Sequence, residues 1–241
     1  MDSVVMVTTR FIGILSGKGG VGKTTLAVNI ATALSALGKD SVVIDTDFTT
    51  ANVGLMLGAN SVPSSINSAL HGVKNICDVA YVHRSGLKVI PASLSLGDYS
   101  PERLAYLQSV LFDLRGNVEY AIFDCASGIS KEVDASIRCL DAAIVVTTPD
   151  IISVTDALKM ITYAEDMGCP VVGVVVNKVK NDRFEMRIDN IVSLLRKPVF
   201  GIVPYDDSVR EALHIKQPVV FSHPAAVSSN IMVDVAKNLI A

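Results

Sequence analysis

The sequence predicts an α/β fold, a doubly wound and mostly parallel sheet with helices on both faces, built by residues 1–241 as a single domain. Three observations predict it. Short β-branched runs recur along the chain and are continuously apolar, as strands covered on both faces must be. Helical patterns of period near 3.6 lie between them, so consecutive strands are joined by crossovers. A chain of 241 residues is also about what one domain of this class needs to bury a core.

The elements follow in order. Phe11 to Leu15 reads as the first strand, and Leu26, Ile30, Ala33, Leu34 and Leu37 share one face of the helix after it. Gly38 stops that helix, because glycine accepts the left-handed conformation a helix end requires. Val42 to Ile44 is the second strand. Asp47 to Gly86 is the least regular stretch, rich in Ser, Asn and Gly, with short helices expected around Asn52 to Met56 and Ser65 to Leu70. Irregular length of this kind points to function. Leu87 to Ile90 is a further strand, and Ser100-Pro101-Glu102 reads as a helix start with a capping serine, followed by Leu104, Leu107, Leu111 and Leu114 on one face. Strands are then expected at Ala121 to Phe123, Ala143 to Val146, Val171 to Val176 and Val199 to Val203. Phe184, Ile188, Ile191 and Leu195 mark a helix between the last two, and Val227, Ile231, Val235 and Leu239 a final one.

Composition excludes several classes. Half of the residues are apolar and 19% are charged, which is too greasy for long disordered tails. A formal charge of -3 gives no global attraction to nucleic acid or anionic lipid. Cys77, Cys125, Cys139 and Cys169 are widely spaced without a C-x-x-C pair, so neither a zinc site nor a disulfide framework is expected. Asp2 and Arg10 flank only a short apolar stretch, Val4 to Val7, unlike a secretory signal, and no apolar run approaches the ~20 residues that span a bilayer. A cytoplasmic protein is expected.

Directly after the first strand comes GKGGVGKTT, formed by Gly17, Lys18, Gly19, Gly20, Val21, Gly22, Lys23, Thr24 and Thr25. It satisfies G-x-x-x-x-G-K-[ST] between a strand and a helix, the context that motif requires. Glycines let backbone N–H groups wrap phosphates, Lys23 adds a point charge, and the Thr24 hydroxyl can ligate magnesium. Val42-Val43-Ile44 delivers Asp45 and Asp47 to the carboxyl edge of the sheet, where ligands of doubly wound folds bind. Either carboxylate is placed to serve magnesium or water, and the alternative for Asp47 is the cap of a turn. Asp124 ends another apolar strand and is followed by Cys125-Ala126-Ser127-Gly128. Cys125 reads as a small buried residue, since phosphoryl transfer needs positioning and charge rather than a thiol. Asn177 closes a later strand with an amide that offers both donor and acceptor to a purine edge.

An ordinary phosphate loop does not need the second lysine, Lys18. With it, the sequence resembles the deviant Walker A family, K-G-G-V-G-K-T-T, whose members include MinD, ParA, the arsenical pump ATPase and the nitrogenase iron protein. The resemblance runs from Phe11 to about Leu239. It implies ATP or ADP with Mg2+, and a homodimer formed when ATP is bound, in which Lys18 reaches the partner's nucleotide. Lys18, Lys23 and Asp47 would then be catalytic, with Asp47 positioning the attacking water. Thr24, Asp45 and Asp124 would serve the metal. Asn52, Gly128, Asn177, Pro204 and Asp206 would contact the nucleotide beside the phosphate loop, although Pro204 also fits a simple turn. Ala126 stands where most relatives have proline, which leaves this switch loop without a fixed φ.

Val89-Ile90-Pro91-Ala92-Ser93 and Pro149-Asp150 with Ser153-Val154 resemble the MinD subgroup more than ParA. The implied function is a slow, partner-stimulated ATPase switch that positions the cell division site or another structure. The alternatives are a ParA-like partitioning ATPase, a carrier of metal clusters, and a biosynthetic ligase. The sequence ends at Ala241 within an apolar helical stripe that reads as core packing, so membrane contact would need a partner or adaptor. Lys178, Lys180, Arg183 and Arg187 form a local basic patch, interrupted by Asp182 and Glu185, that reads as a solvated helix entrance before a DNA contact.

Overall fold

The computed structural model describes residues 8–59 and 64–240. The expectations for Asp2, for Val4 to Val7 and for Ala241 lie outside these residues, as does the 60–63 portion of the irregular stretch.

The chain runs β1 (Arg10–Leu15), α1 (Lys23–Ala36), β2 (Ser41–Thr46), α2 (Val53–Met56), α3 (Ile66–Leu70), β3 (Tyr81–Val82) and β4 (Lys88–Ile90). It continues through α4 (Leu107–Phe112), β5 (Tyr120–Cys125), α5 (Lys131–Ile137), β6 (Ala142–Thr147), α6 (Ile151–Asp166) and β7 (Val171–Val179). The last elements are α7 (Ile188–Leu195), β8 (Val199–Pro204), α8 (Asp207–His214), α9 (Val219–Ser222) and α10 (Val227–Ile240). The eight strands make one sheet in the order β3-β4-β2-β5-β1-β6-β7-β8. Among the described residues only the pairing of β3 with β4 is antiparallel. The predicted doubly wound α/β fold is the one observed.

Strand parity divides the core into two layers, since successive side chains point to opposite faces. Phe11, Leu15, Val42, Ile44, Ala121 and Phe123 pack on the side covered by α4 to α7. Ile12, Ile14, Val43 and Ile122 pack on the other side, with α1 and α10. The helix α1 is buried nearly all round by the sheet and by its packing on α10 and α9, so it has an apolar body rather than an apolar stripe. Each large side chain fully buried in these layers contributes roughly 2 kcal/mol by apolar transfer.

Several local expectations are corrected. Ser100 does not cap an α-helix: Pro101–Tyr106 is a 3₁₀ helix, and the Ser100 hydroxyl donates to Glu102 instead. The regular helix begins only at Leu107 and ends before Leu114. Phe184 is not on the face of α7; it precedes the helix and is 79% exposed. In α10 the inward face is Ser228, Ser229, Met232, Val235, Ala236 and Leu239, which leaves Val227 at the surface and Ile231 half-buried. Strand β3 is too short to register as an apolar run, and its pairing with β4 is settled by tertiary contact. Gly38 does stop α1, with φ of 79°.

Candidate functional site

Parity also builds the site. Asp45 stands two residues beyond Val43 and Asp124 two beyond Ile122, so both carboxylates face the α1 layer, and they are register partners across β2 and β5. The first residues of α1, Lys23 and Thr24, enter at the same edge. The phosphate loop joins β1 to α1 with Gly20 and Gly22 at positive φ, 80° and 100°, a conformation glycine adopts without strain. Gly17 is glycine for another reason: a Cβ there would lie 2.1 Å from the Asp156 carbonyl oxygen of α6. The loop is therefore pressed against a helix on one side and held by a side chain on the other. Asn177 Nδ2 donates to the Val21 carbonyl at 2.7 Å, and Lys178 Nζ donates to the Gly20 carbonyl at 2.7 Å.

A cavity of about 760 Å³ opens on this edge. Of the predicted residues, Gly19, Gly20, Gly22, Lys23, Thr24, Thr25, Asp47, Asn52, Asn177, Pro204 and Asp206 line it. Lys23 is 7% exposed, and burial lowers its pKa while the Asp124 and Asp47 carboxylates oppose that shift. Asp124 is held up at about 7 by burial, against a hydrogen bond from Thr24 and the nearby Lys23 ammonium. Its Oδ1 is buried without a hydrogen-bond partner. An orphaned carboxylate oxygen beside a threonine hydroxyl and below a phosphate loop fits a divalent cation. Bound Mg2+ would be held by Thr24 and Asp124 and would supply positive charge to the phosphate oxygens.

Other predicted residues are placed differently. Asp45 has both oxygens engaged by backbone N–H groups, Oδ1 by Asp47 and Oδ2 by Asn52 and Val53, so it anchors the start of α2 rather than presenting a free oxygen to a metal. The Gly128 N–H donates to the Ser16 carbonyl at 2.9 Å and does not face the cavity. Asp206 lines the cavity, yet its carboxylate caps α8 through Ser208 and accepts from Ser228 of α10. Asn177 retains one N–H and one lone pair beyond its contacts with Val21 and Lys178. Lys18 stands at the rim with its side chain 45% exposed, 3.9 Å from Asp150. Cys125 is buried and its thiol pKa is pushed far up by burial, as a core residue's would be. The basic patch disperses: Lys178 belongs to the phosphate loop, Lys180 lies over the Tyr205 ring and Arg183 over the Phe184 ring.

Sequence reasoning missed Tyr205, Arg210 and Leu213 of the β8–α8 segment, which line the cavity together with Leu55 and Met56. Leu55 and Leu213 are 43% and 51% exposed, an apolar pair suited to a flat ring. Nothing local marks them, because they come from distant segments.

Comparison with known proteins agrees with this geometry. Residues 12–219 match the family model described as the CobQ/CobB/MinD/ParA nucleotide binding domain. An uncharacterized ATP-binding protein of Methanocaldococcus jannaschii is 38% identical over 229 residues, covering 95% of this chain and 87% of the relative. The septum site-determining protein MinD of Synechocystis is 30% identical over 240 residues, covering 95% of this chain and 89% of that one. Among solved structures, the MinD of Pyrococcus horikoshii complexed with Mg-ADP superposes with a TM-score of 0.90 at 25% identity over 96% of each chain. A family match over most of the chain thus joins a phosphate loop with an acceptor for magnesium beneath it: the chain belongs to the CobQ/CobB/MinD/ParA nucleotide-binding family and is a P-loop ATPase.

Proposed function

We propose that this ATPase is a MinD-like switch: ATP closes a homodimer, slow hydrolysis reopens it, and the cycle positions a cellular structure such as the division site. The observation that carries the reading is the placement of Lys18. Its ammonium is directed to the rim, beside Asp150 and away from the cavity its own loop builds. On the segments bonded to its loop, Ile129, Ile151 and Ile152 are 61%, 60% and 61% exposed. Ile129 follows Gly128, which is bonded to Ser16, and the two isoleucines follow Asp150, so the apolar residues and the spare lysine share one face. An apolar face that also carries a cation suits a second copy of the same chain carrying a triphosphate.

In this reading Lys23 and the phosphate-loop N–H groups orient the triphosphate, and Asp47 positions the attacking water. Lys18 completes the partner's site. Asn52, Asn177, Pro204 and Asp206 surround the base and ribose, and Gly128 exchanges its bond to Ser16 for one to the γ-phosphate when the switch closes. Asp45 acts by holding α2 in place behind the metal. An activator protein supplies the last element of the catalytic geometry, which keeps unstimulated turnover slow. Membrane or DNA contact comes through a partner; among the described residues no helix is long and apolar enough to cross a membrane. A metal-cluster carrier would need accessible paired thiols, whereas Cys125, Cys139 and Cys169 are all buried.

The test is the solution mass of Asp47→Ala by light scattering. With Mg-ATP the mass should double relative to Mg-ADP, since the variant binds ATP and does not clear it. A mass indifferent to nucleotide, with ATP binding confirmed, would refute the switch.

A further inference from the structure

Strand β7 breaks its own alternation at the edge of the site. Val176 pairs with Ile202 and Val179 with Pro204, so Asn177 and Lys178 together stand opposite Val203 alone. This is a β-bulge, a feature rare between parallel strands that re-aims the side chains it carries. Val176 and Val179 pack in the same core layer although they are three residues apart, which unbroken alternation forbids. Lys178 has φ of 59°, a left-handed conformation that costs a residue with a Cβ free energy and persists only where its surroundings hold it. Asn177 holds it locally, its Oδ1 accepting from the Lys178 N–H at 2.9 Å.

The bulge sends two successive side chains to one place. Asn177 Nδ2 donates to the Val21 carbonyl and Lys178 Nζ to the Gly20 carbonyl, each at 2.7 Å. A Cβ on Gly22 would lie 2.3 Å from Asn177 Nδ2, so the loop is pressed directly on the bulge. The Gly20 C=O and the Val21 N–H belong to one trans peptide and point in opposite directions, as do the Val21 C=O and the Gly22 N–H. Holding the two oxygens therefore sets the direction of two N–H groups in the segment that wraps phosphate. Gly19, Gly20 and Gly22 would otherwise let these peptides flip at little steric cost, and a flipped peptide presents an oxygen to the phosphates.

We infer that Lys178 is a positioning residue for phosphate binding: from a left-handed bulge in β7 it holds the Gly20 carbonyl and so keeps the Val21 N–H turned into the phosphate cradle. Lys178 lines the cavity, yet its ammonium is spent on the loop rather than offered to the nucleotide. The inference concerns the shape of the phosphate loop and stands apart from the dimer switch, which is read by solution mass rather than by affinity.

The experiment compares Lys178→Met, Lys178→Arg and Lys178→Gly with the parent. It measures equilibrium binding of Mg-ATP and Mg-ADP, steady-state phosphate release, and hydrogen exchange of the phosphate-loop peptide in the nucleotide-free protein. Lys178→Met should lose about tenfold in affinity for ATP and ADP alike, with KM raised to match and kcat within about twofold of the parent. Its loop should exchange severalfold faster before any nucleotide is added. Lys178→Arg should recover most of both, since its longer side chain still donates to a carbonyl. Lys178→Gly relieves the left-handed backbone, so its Tm should match or exceed the parent's while its affinity falls as in Lys178→Met. Parental affinity in Lys178→Gly, or unchanged loop exchange in Lys178→Met, would overturn the inference. So would a loss for ATP that spares ADP, which would place the ammonium at the transferred phosphate, or a Lys178→Arg variant no better than Lys178→Met.

Discussion

The phosphate loop and the segment that carries Asp47 face each other across one cavity and are held in opposite ways. The loop is fixed by main-chain geometry and by partners from distant segments: Gly17 against the Asp156 backbone, the buried Asn177 on the Val21 carbonyl and the exposed Lys178 on the Gly20 carbonyl. Asp47 is held by an exposed Asx-type turn, with Oδ1 accepting from the Thr50 N–H and hydroxyl. A cradle locked on both sides keeps its donors aimed at phosphate, with no reorganisation needed when phosphate arrives. A carboxylate held by surface hydroxyls can change partners. The difference separates the part of the site that binds from the part that switches.

The largest expected effect breaks the locked side. In Gly17→Ala the new methyl would overlap the Asp156 carbonyl, so α6 or the loop must move; overpacking of this kind predicts a loss of about 3 kcal/mol, or roughly 6–12 °C in Tm by calorimetry. A Tm within about 1 °C of the parent would show that the loop yields easily and would remove the contrast.

Asp124, between the two regions, sharpens the comparison through pH. Its native pKa of about 7 lies above the usual carboxylate value, so between about pH 4 and 7 the native state holds a proton that the unfolded chain has released. Metal-free stability should therefore be greatest near the lower end and fall as pH rises toward 7. Asp124→Asn should flatten part of the slope in Tm measured with a chelator, leaving the same-signed share of buried Asp45, whose pKa burial and Asp124 also raise. Stabilisation by Mg-ADP should grow over the same range, because the ionised carboxylate is the form that serves the cation. A slope of opposite sign would contradict the buried, unpaired state of Asp124.

The smallest effect belongs to the movable side. Thr50→Val removes one of the two Thr50 donors to Asp47 and leaves the backbone bond, so Tm should stay within about 1 °C while turnover falls about two- to threefold. A drop in Tm as large as that of Gly17→Ala would show that the turn is part of the core.

The positions of Lys23, Thr24 and Asp124 could be read from the chain because each is fixed by contiguous sequence: a glycine loop between strand and helix, and a strand parity that sends Asp124 to the α1 face. The same parity brings in Asp45, but its use by the Asn52 and Val53 N–H groups depends on how the following loop returns. Gly128 reads as a free donor in sequence because the Ser16 carbonyl that accepts from it belongs to another strand's end. Leu213 and Leu55 line one cavity although they lie in segments more than 150 residues apart, which no local pattern in the chain can show.

By itself, then, the sequence determined the α/β class, the order of the major strands and helices, the phosphate loop and the carboxylates at the strand ends. These rest on periodicity and short motifs, whose physics is local. The tertiary structure alone decided that Gly17 makes room for α6, that Lys18 points to the rim, and that Lys178 reaches the Gly20 carbonyl. Those facts depend on contacts between distant segments, and the free energy of such contacts is set by which surfaces the whole sheet brings together rather than by any residue's neighbours in the chain.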